Sequence, residues 1–96
     1  MKTVFPLIIK MTMDKRSKDA PFVAYASEVD VASCGSTEEK ARQNLHEAVE
    51  IVLEEAERKG KLPELLEDLG FQKEEQGWIP PKVIFEPFFF PKLKFT

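Results

Sequence analysis

Few side chains in this 96-residue sequence have the types and spacing that could do chemistry. His46 is the only histidine, and Glu50 follows it by four residues, a spacing that brings two side chains together on one helix face. An imidazole beside a carboxylate could act as a general base or bind a metal ion. The sequence offers it no second histidine, no cysteine cluster and no nucleophile paired with a base. We therefore expect a solvated helix face, with no enzyme activity, no metal and no cofactor.

Cys34 is the only cysteine, so the sequence holds neither an internal disulfide pair nor a multi-cysteine zinc site. Its position before Gly35, near a predicted helix start, could stabilise a reactive thiolate. A resolving cysteine for redox chemistry is missing from the sequence. We expect Cys34 to be a small, partly buried residue at the end of a strand.

The composition is that of a single globular domain. Hydrophobic residues make up 43% and charged residues 32%, which distinguishes the chain from a disordered one. The net charge of −3 disfavours binding to nucleic acid, which depends on clustered cations. The sequence shows no membrane-span pattern and no signal peptide. We expect a cytoplasmic protein with no membrane partner.

Three strands are predicted in the first third of the chain. Leu7, Ile9, Met11 and Met13 alternate with mostly polar residues, so the first strand should have one face in the core. A second strand is predicted at Phe22–Ala26 and a third over residues 29–34. Their connections are too short for parallel crossovers, so the three strands should form an antiparallel meander.

Two helices should follow the meander. Thr37 can cap the first helix, because its hydroxyl can accept from the unpaired amides of the first turn. Gly60 can end this helix in the left-handed conformation. A short second helix is predicted over residues 63–69, before Gly70. The apolar stripe of the long helix is Ala41, Leu45, Ala48, Val49, Val52, Leu53 and Ala56.

The C-terminal quarter is polar over residues 72–77 and then becomes rich in proline and phenylalanine. Residues 83–85 predict a fourth strand that returns to the sheet. The expected fold is α+β and two-layered: a three-stranded antiparallel meander, a long helix, a short helix and a returning C-terminal strand (β-β-β-α-α-β). Residues 1–86 should form the domain and residues 87–96 an aromatic extension, which is part of the core or an oligomer interface.

Several short motifs occur in a fixed order across the predicted strand, turn and helix. They are Phe22-Val23-Ala24-Tyr25, Ser27-Glu28-Val29-Asp30-Val31-Ala32-Ser33, Gly35-x-Thr37, Ala41, Asn44-Leu45 and Glu47-Ala48. Over residues 3–59 this order resembles the HicB family of antitoxins. Ser27, Ser36 and Lys40 depart locally from the family pattern. The tail departs further, because it lacks the recognition helix with which many members bind DNA.

The resemblance implies a non-catalytic antitoxin that binds and neutralises a HicA-like toxin, a small basic ribonuclease that cleaves messenger RNA. An acidic surface suits a basic nuclease. A HicB-like interaction module that self-associates without a toxin partner is the alternative. Acidic turns and charged helix faces also have plainer structural explanations. The predicted partner contacts are Tyr25, Glu28, Asp30, Glu47, Glu50 and Glu54.

Five of the eight phenylalanines lie between Phe85 and Phe95, more than one edge of a small domain can hide. Exposed apolar patches often mark association, and aromatic residues are enriched at interfaces. We therefore predict a homo-oligomer formed through the tail, by strand exchange or edge pairing, with completion of the core as the alternative. The predicted interface residues are Phe85, Phe88, Phe89, Phe90, Leu93 and Phe95.

Overall fold

The computed structural model of the chain describes residues 7–89 and 91. Strands β1 (Ile9–Met13), β2 (Phe22–Ala26) and β3 (Val31–Gly35) form one antiparallel sheet in that order, and β4 (Gln72–Glu74) pairs with β5 (Gly77–Ile79) in a separate two-stranded sheet. This is the predicted α+β class: three strands, a long helix, a short helix and then C-terminal strand structure. The two helices between the sheets are α1 (Glu38–Arg58) and α2 (Leu62–Asp68).

The C-terminal strands differ from the prediction in position and in partner. Residues 83–85 are not a strand, and the strand pair lies instead at Gln72–Ile79, which begins in the polar run of residues 72–77. A two-residue loop closes this hairpin beside Gly77, whose φ is 132°. The two strands of such a hairpin are separated by only two loop residues, whereas a strand at residues 83–85 needs a distant partner. Residues 83–85 therefore form no strand within the described part of the chain, despite their strand propensity.

Helix α1 packs on one face of the three-stranded sheet, mainly over β3 and β2. Side chains alternate along a strand, so the fully buried Ala24 and Ala26 face the helix and Tyr25 faces the opposite side. Strand β1 lies beyond this cover. The predicted inward face is only partly covered: Leu7 and Met11 pack against the core, whereas Ile9 and Met13 are exposed.

The junction between β3 and α1 is tight. Thr37 is the N-cap as predicted, and its Oγ1 accepts from the amide of Lys40 at 3.0 Å. At Gly35, a Cβ atom would lie 2.4 Å from the backbone nitrogen of Ala41. Only glycine therefore lets the helix approach the strand this closely.

Both helices end at the glycines that the sequence predicted, Gly60 with a φ of 70° and Gly70 with a φ of 91°. After the second stop, the Phe71 amide donates to the Leu66 carbonyl at 2.9 Å, and both side chains are buried in the core. This combination of a backbone bond and an apolar contact is the Schellman motif. Neither helix of the described residues is apolar over a length that would cross a membrane.

Candidate functional site

The six predicted contact residues do not form one surface, and Glu28 is the clearest exception. Its side chain is buried, with only 4% of the residue exposed. Its carboxylate accepts from the backbone amide of Ile8 at 2.9 Å and from the Ser27 hydroxyl at 3.3 Å. Glu28 thus ties the segment before β1 to the turn between β2 and β3. Both oxygens of the Glu28 carboxylate therefore accept hydrogen bonds within the domain.

Tyr25 and Asp30 form a pair on the sheet face opposite α1. The Tyr25 hydroxyl donates to Asp30 Oδ1 at 2.9 Å. Asp30 ends the turn between β2 and β3 and has a positive φ of 53°, a conformation that aspartate tolerates. The bond raises the pKa of Tyr25, because deprotonation would lose the bond and place a second negative charge beside the carboxylate.

The three glutamates of α1 lie on the outer side of the helix. Glu47, Glu50 and Glu54 are all exposed, whereas Leu45 and Leu53 on the inner side are buried. Their spacing of three and four residues places the carboxylates along one ridge. We call Glu47, Glu50 and Glu54 the acidic ridge.

The nearby cations of α1 neutralise other carboxylates. Arg58 and Lys59 lie 2.6 Å and 3.2 Å from the carboxylate of Glu55, and Arg42 lies 3.2 Å from that of Glu39. The guanidinium of Arg58, and then the ammonium of Lys59, lower the pKa of Glu55. These three cations therefore pair beside the acidic ridge and not on it.

The acidic ridge and the Tyr25–Asp30 pair lie on opposite sides of the domain. Tyr25 faces away from α1, and the ridge faces away from the sheet. The two layers between them make a thickness on the order of 10 Å between backbones, plus side chains on both sides. A small partner that binds flat on one surface would thus leave the other exposed.

His46 and Cys34 are both exposed to solvent. His46 is exposed, and its Nδ1 lies 4.0 Å from Glu50 Oε2. Cys34 lies within β3 near its end, as predicted, but it is exposed and not partly buried. Within residues 7–89 and at residue 91, the structure groups no three His, Cys, Asp or Glu side chains in a way that could hold a metal ion.

The tail phenylalanines that the structure describes do not complete the core. Phe85, Phe88 and Phe89 are 56%, 75% and 87% exposed. The radius of gyration is 16.5 Å, against about 12.5 Å for a compact chain of this length. The other predicted interface residues, Phe90, Leu93 and Phe95, lie outside the described residues.

Sequence reasoning missed two apolar surfaces on the body of the domain. Ile9 and Met13 are exposed on β1, and Ile51 and Val52 line a groove between α1 and α2. The apolar pattern of each segment is what a buried face would show. Only the positions of neighbouring elements decide that these side chains remain uncovered.

Comparisons of the chain with protein-family models, with curated proteins and with solved structures gave no match. The HicB resemblance therefore depends on the motif residues of the sequence. Apart from Glu28, the predicted contact and interface residues that the structure describes lie on three surfaces: the acidic ridge, the Tyr25–Asp30 pair and the aromatic tail.

Proposed function

We propose that this chain is a HicB-like antitoxin that binds and neutralises a HicA-like mRNA-cleaving toxin without catalysing a reaction itself. The acidic ridge is the observation that carries the proposal. Glu47, Glu50 and Glu54 present three exposed carboxylates along one helix, and the paired cations of α1 sit on other carboxylates. A small basic ribonuclease is the partner that such a surface would attract.

The ridge would act mainly by steering the toxin into contact. Charges of one sign on a small surface speed association with an oppositely charged partner by roughly 10- to 1,000-fold at low salt. Once bound, the antitoxin would cover the positively charged surface with which the nuclease holds RNA. Neutralisation then needs no catalytic group in the antitoxin.

The test uses a HicA-like protein encoded beside the gene of this chain. The variant Glu47→Gln/Glu50→Gln/Glu54→Gln removes the ridge charges and should slow toxin association on the order of tenfold at low salt. The matched control, Glu67→Gln/Glu74→Gln/Glu75→Gln, removes three charges from exposed positions elsewhere and should associate almost as fast as the wild type.

Equal slowing of both triple variants would show that net charge, and not the ridge, attracts the toxin. Failure of the wild-type chain to bind the toxin or to stop RNA cleavage would reject toxin binding altogether. A paired Tyr25→Phe/Asp30→Asn variant reports on the opposite side of the domain, and it should bind normally if the ridge is the contact surface.

The exposed tail favours self-association as a second property of the same protein. Phe85 and Phe89 expose more than half of their surface, which is costly in water for a monomer. A self-associating HicB-like module without a toxin partner is the alternative function. It is favoured if the chain forms stable oligomers and no toxin gene lies beside its own.

A further inference from the structure

Strand β1 has an open edge. The amide of Asp14 donates to the carbonyl of Pro21 on the β2 side, at 2.6 Å, in line with the register of the two strands. Hydrogen bonding to one neighbour involves every second residue of an antiparallel strand. Ile9, Met11 and Met13 therefore direct their backbone N–H and C=O groups away from β2. The sheet of the described residues has no strand on that side.

The opposite edge of the sheet is less open. On β3, the Cys34 carbonyl accepts from the side-chain amide of Asn44 at 2.8 Å. By the same alternation, this carbonyl faces away from β2, so the helix side chain occupies part of the edge. A strand that extends the sheet thus finds more free backbone groups at β1.

The side chains at the β1 edge are apolar. Ile9 and Met13 lie on the sheet face that carries α1, yet they are 40% and 56% exposed because the helix covers mainly β2 and β3. The open edge and these side chains together form an apolar shelf beside the helix. An added strand would bury this shelf and pair the free backbone groups at once.

The C-terminal segment that follows β5, which we call the tail, contains five residues suited to that edge. Residues 82–86, between Pro81 and Pro87, are free of proline, and their five positions equal the five residues of β1. Their central residues Val83, Ile84 and Phe85 are strong strand formers, but they belong to no strand in the described chain.

We propose that residues 82–86 of a second copy add as a strand to the β1 edge, and that two copies exchange these tails reciprocally. This inference rests on the self-association part of the proposed function and is independent of toxin binding. Within its own chain Ile84 and Phe85 stay 63% and 56% exposed, so a partner copy is the occupant that covers both the shelf and the tail.

The area at stake is that of a stable dimer. At about 200 Å² for a fully buried phenylalanine, complete burial of Phe85 in the added strand and of Phe88 and Phe89 directly after it would remove at most roughly 440 Å² per tail. Two tails and the matching acceptor surfaces then bury roughly 1,700 Å², within the range of about 1,200–2,000 Å² of specific interfaces.

Two variants of the full chain separate the donor strand from the acceptor edge. Ile84→Pro/Phe85→Pro blocks the tail, because one of any two adjacent strand residues must donate to the neighbour. Met11→Pro blocks the edge, because it removes an N–H that faces away from β2 and so spares the β1–β2 pairing. Each variant should raise the dimer Kd about tenfold for each hydrogen bond lost, so each is compared with the wild type at a concentration near the wild-type Kd, where a blocked variant stays monomeric. The control Ile84→Val/Phe85→Tyr should leave Kd unchanged.

Mixing the two blocked variants gives the decisive result. Each lacks one half of the exchange, so neither dimerises alone, but the mixture regains one intact tail–edge contact and forms a heterodimer in sedimentation experiments. A tail-blocked variant that still dimerises would overturn the proposal in favour of pairing between two β1 edges. An edge-blocked variant that still dimerises would overturn it in favour of contact between tails.

Circular dichroism checks that each variant is folded. If Met11→Pro unfolds the domain, Met13→Lys replaces it, because a charge at this exposed shelf position blocks strand addition without a change in the backbone. A monomeric wild-type chain would refute this inference and self-association together. A dimer with the wrong mixing result would refute the inference alone, and toxin binding is measured separately in either case.

Discussion

The substitution Gly35→Ala should weaken the domain more than its size suggests. The added Cβ would lie 2.4 Å from the Ala41 nitrogen, and 2.7 Å and 2.8 Å from the carbonyl carbon and Cβ of Lys40. Ordinary contacts between such atoms are about 3.5–4.0 Å, so the start of α1 must move away by about 1 Å. Overpacking of this kind costs about 1–3 kcal/mol.

The displacement would also strain the contact that joins α1 to β3. The hydrogen bond from Asn44 to the Cys34 carbonyl spans this junction, and its loss adds about 1 kcal/mol. We therefore expect Gly35→Ala to lower the free energy of unfolding by about 2–4 kcal/mol. Urea denaturation followed by circular dichroism measures this change directly.

Gly60→Ala is the matched control, because it adds the same methyl group for a different physical reason. Nothing lies within 4 Å of its added Cβ, but the φ of 70° is unfavourable for alanine. The expected cost is about 1–2 kcal/mol from the backbone alone. The close packing of β3 on α1 would be refuted if Gly35→Ala proved no more destabilising than Gly60→Ala.

Three other predictions concern the interior and the turn. Tyr25 is the only tyrosine, so tyrosinate absorbance should show its phenol titrating above the ordinary pKa of 10.0, and Asp30→Asn should bring the pKa down toward that value. Because the bond to Asp30 raises the pKa of Tyr25, its stabilisation of the folded state is complete below the ordinary pKa of tyrosine and is lost as the pH rises through the raised pKa. Identical titrations of the wild type and of Asp30→Asn would contradict this. Glu28→Ala should destabilise by about 1–3 kcal/mol in urea, since it leaves the Ile8 amide without its acceptor, and Glu28→Gln should cost less; equal losses would argue against the hydrogen bond. Leu66→Ala should lower the free energy of unfolding by about 2–5 kcal/mol, because it leaves a cavity in the core. A decrease as small as that of a surface substitution would show that Leu66 is loosely packed.

The helix ends could be predicted from the sequence because their signals are local. Thr37, Gly60 and Gly70 act on groups within a few residues of themselves, and the structure confirms all three. The C-terminal strand was misplaced for the converse reason. Residues 83–85 have the propensity of a strand, but a strand exists only where a partner supplies hydrogen bonds. In the hairpin at Gln72–Ile79, the partner strand follows after a loop of two residues.

The role of Glu28 could not be read from its position in the sequence. An acidic residue in a turn is usually exposed, and the HicB resemblance placed Glu28 with the predicted partner contacts. Its burial depends on the Ile8 amide, twenty residues earlier in the chain. Side-chain partners at such separations follow from strand pairing, which periodicity within a segment does not specify.

The sequence by itself determined the α+β class, the order of the first elements, the helix limits and the acidic character of α1, since each follows from short-range propensity and spacing. Only the tertiary structure decided that the acidic ridge and the Tyr25–Asp30 pair lie on opposite sides, and that β1 keeps an open, apolar edge. Those features depend on which distant segments pack together. Burial depends on how the layers assemble. A residue pattern therefore indicates which side chains could be buried, and the packing of distant segments decides which of them are buried.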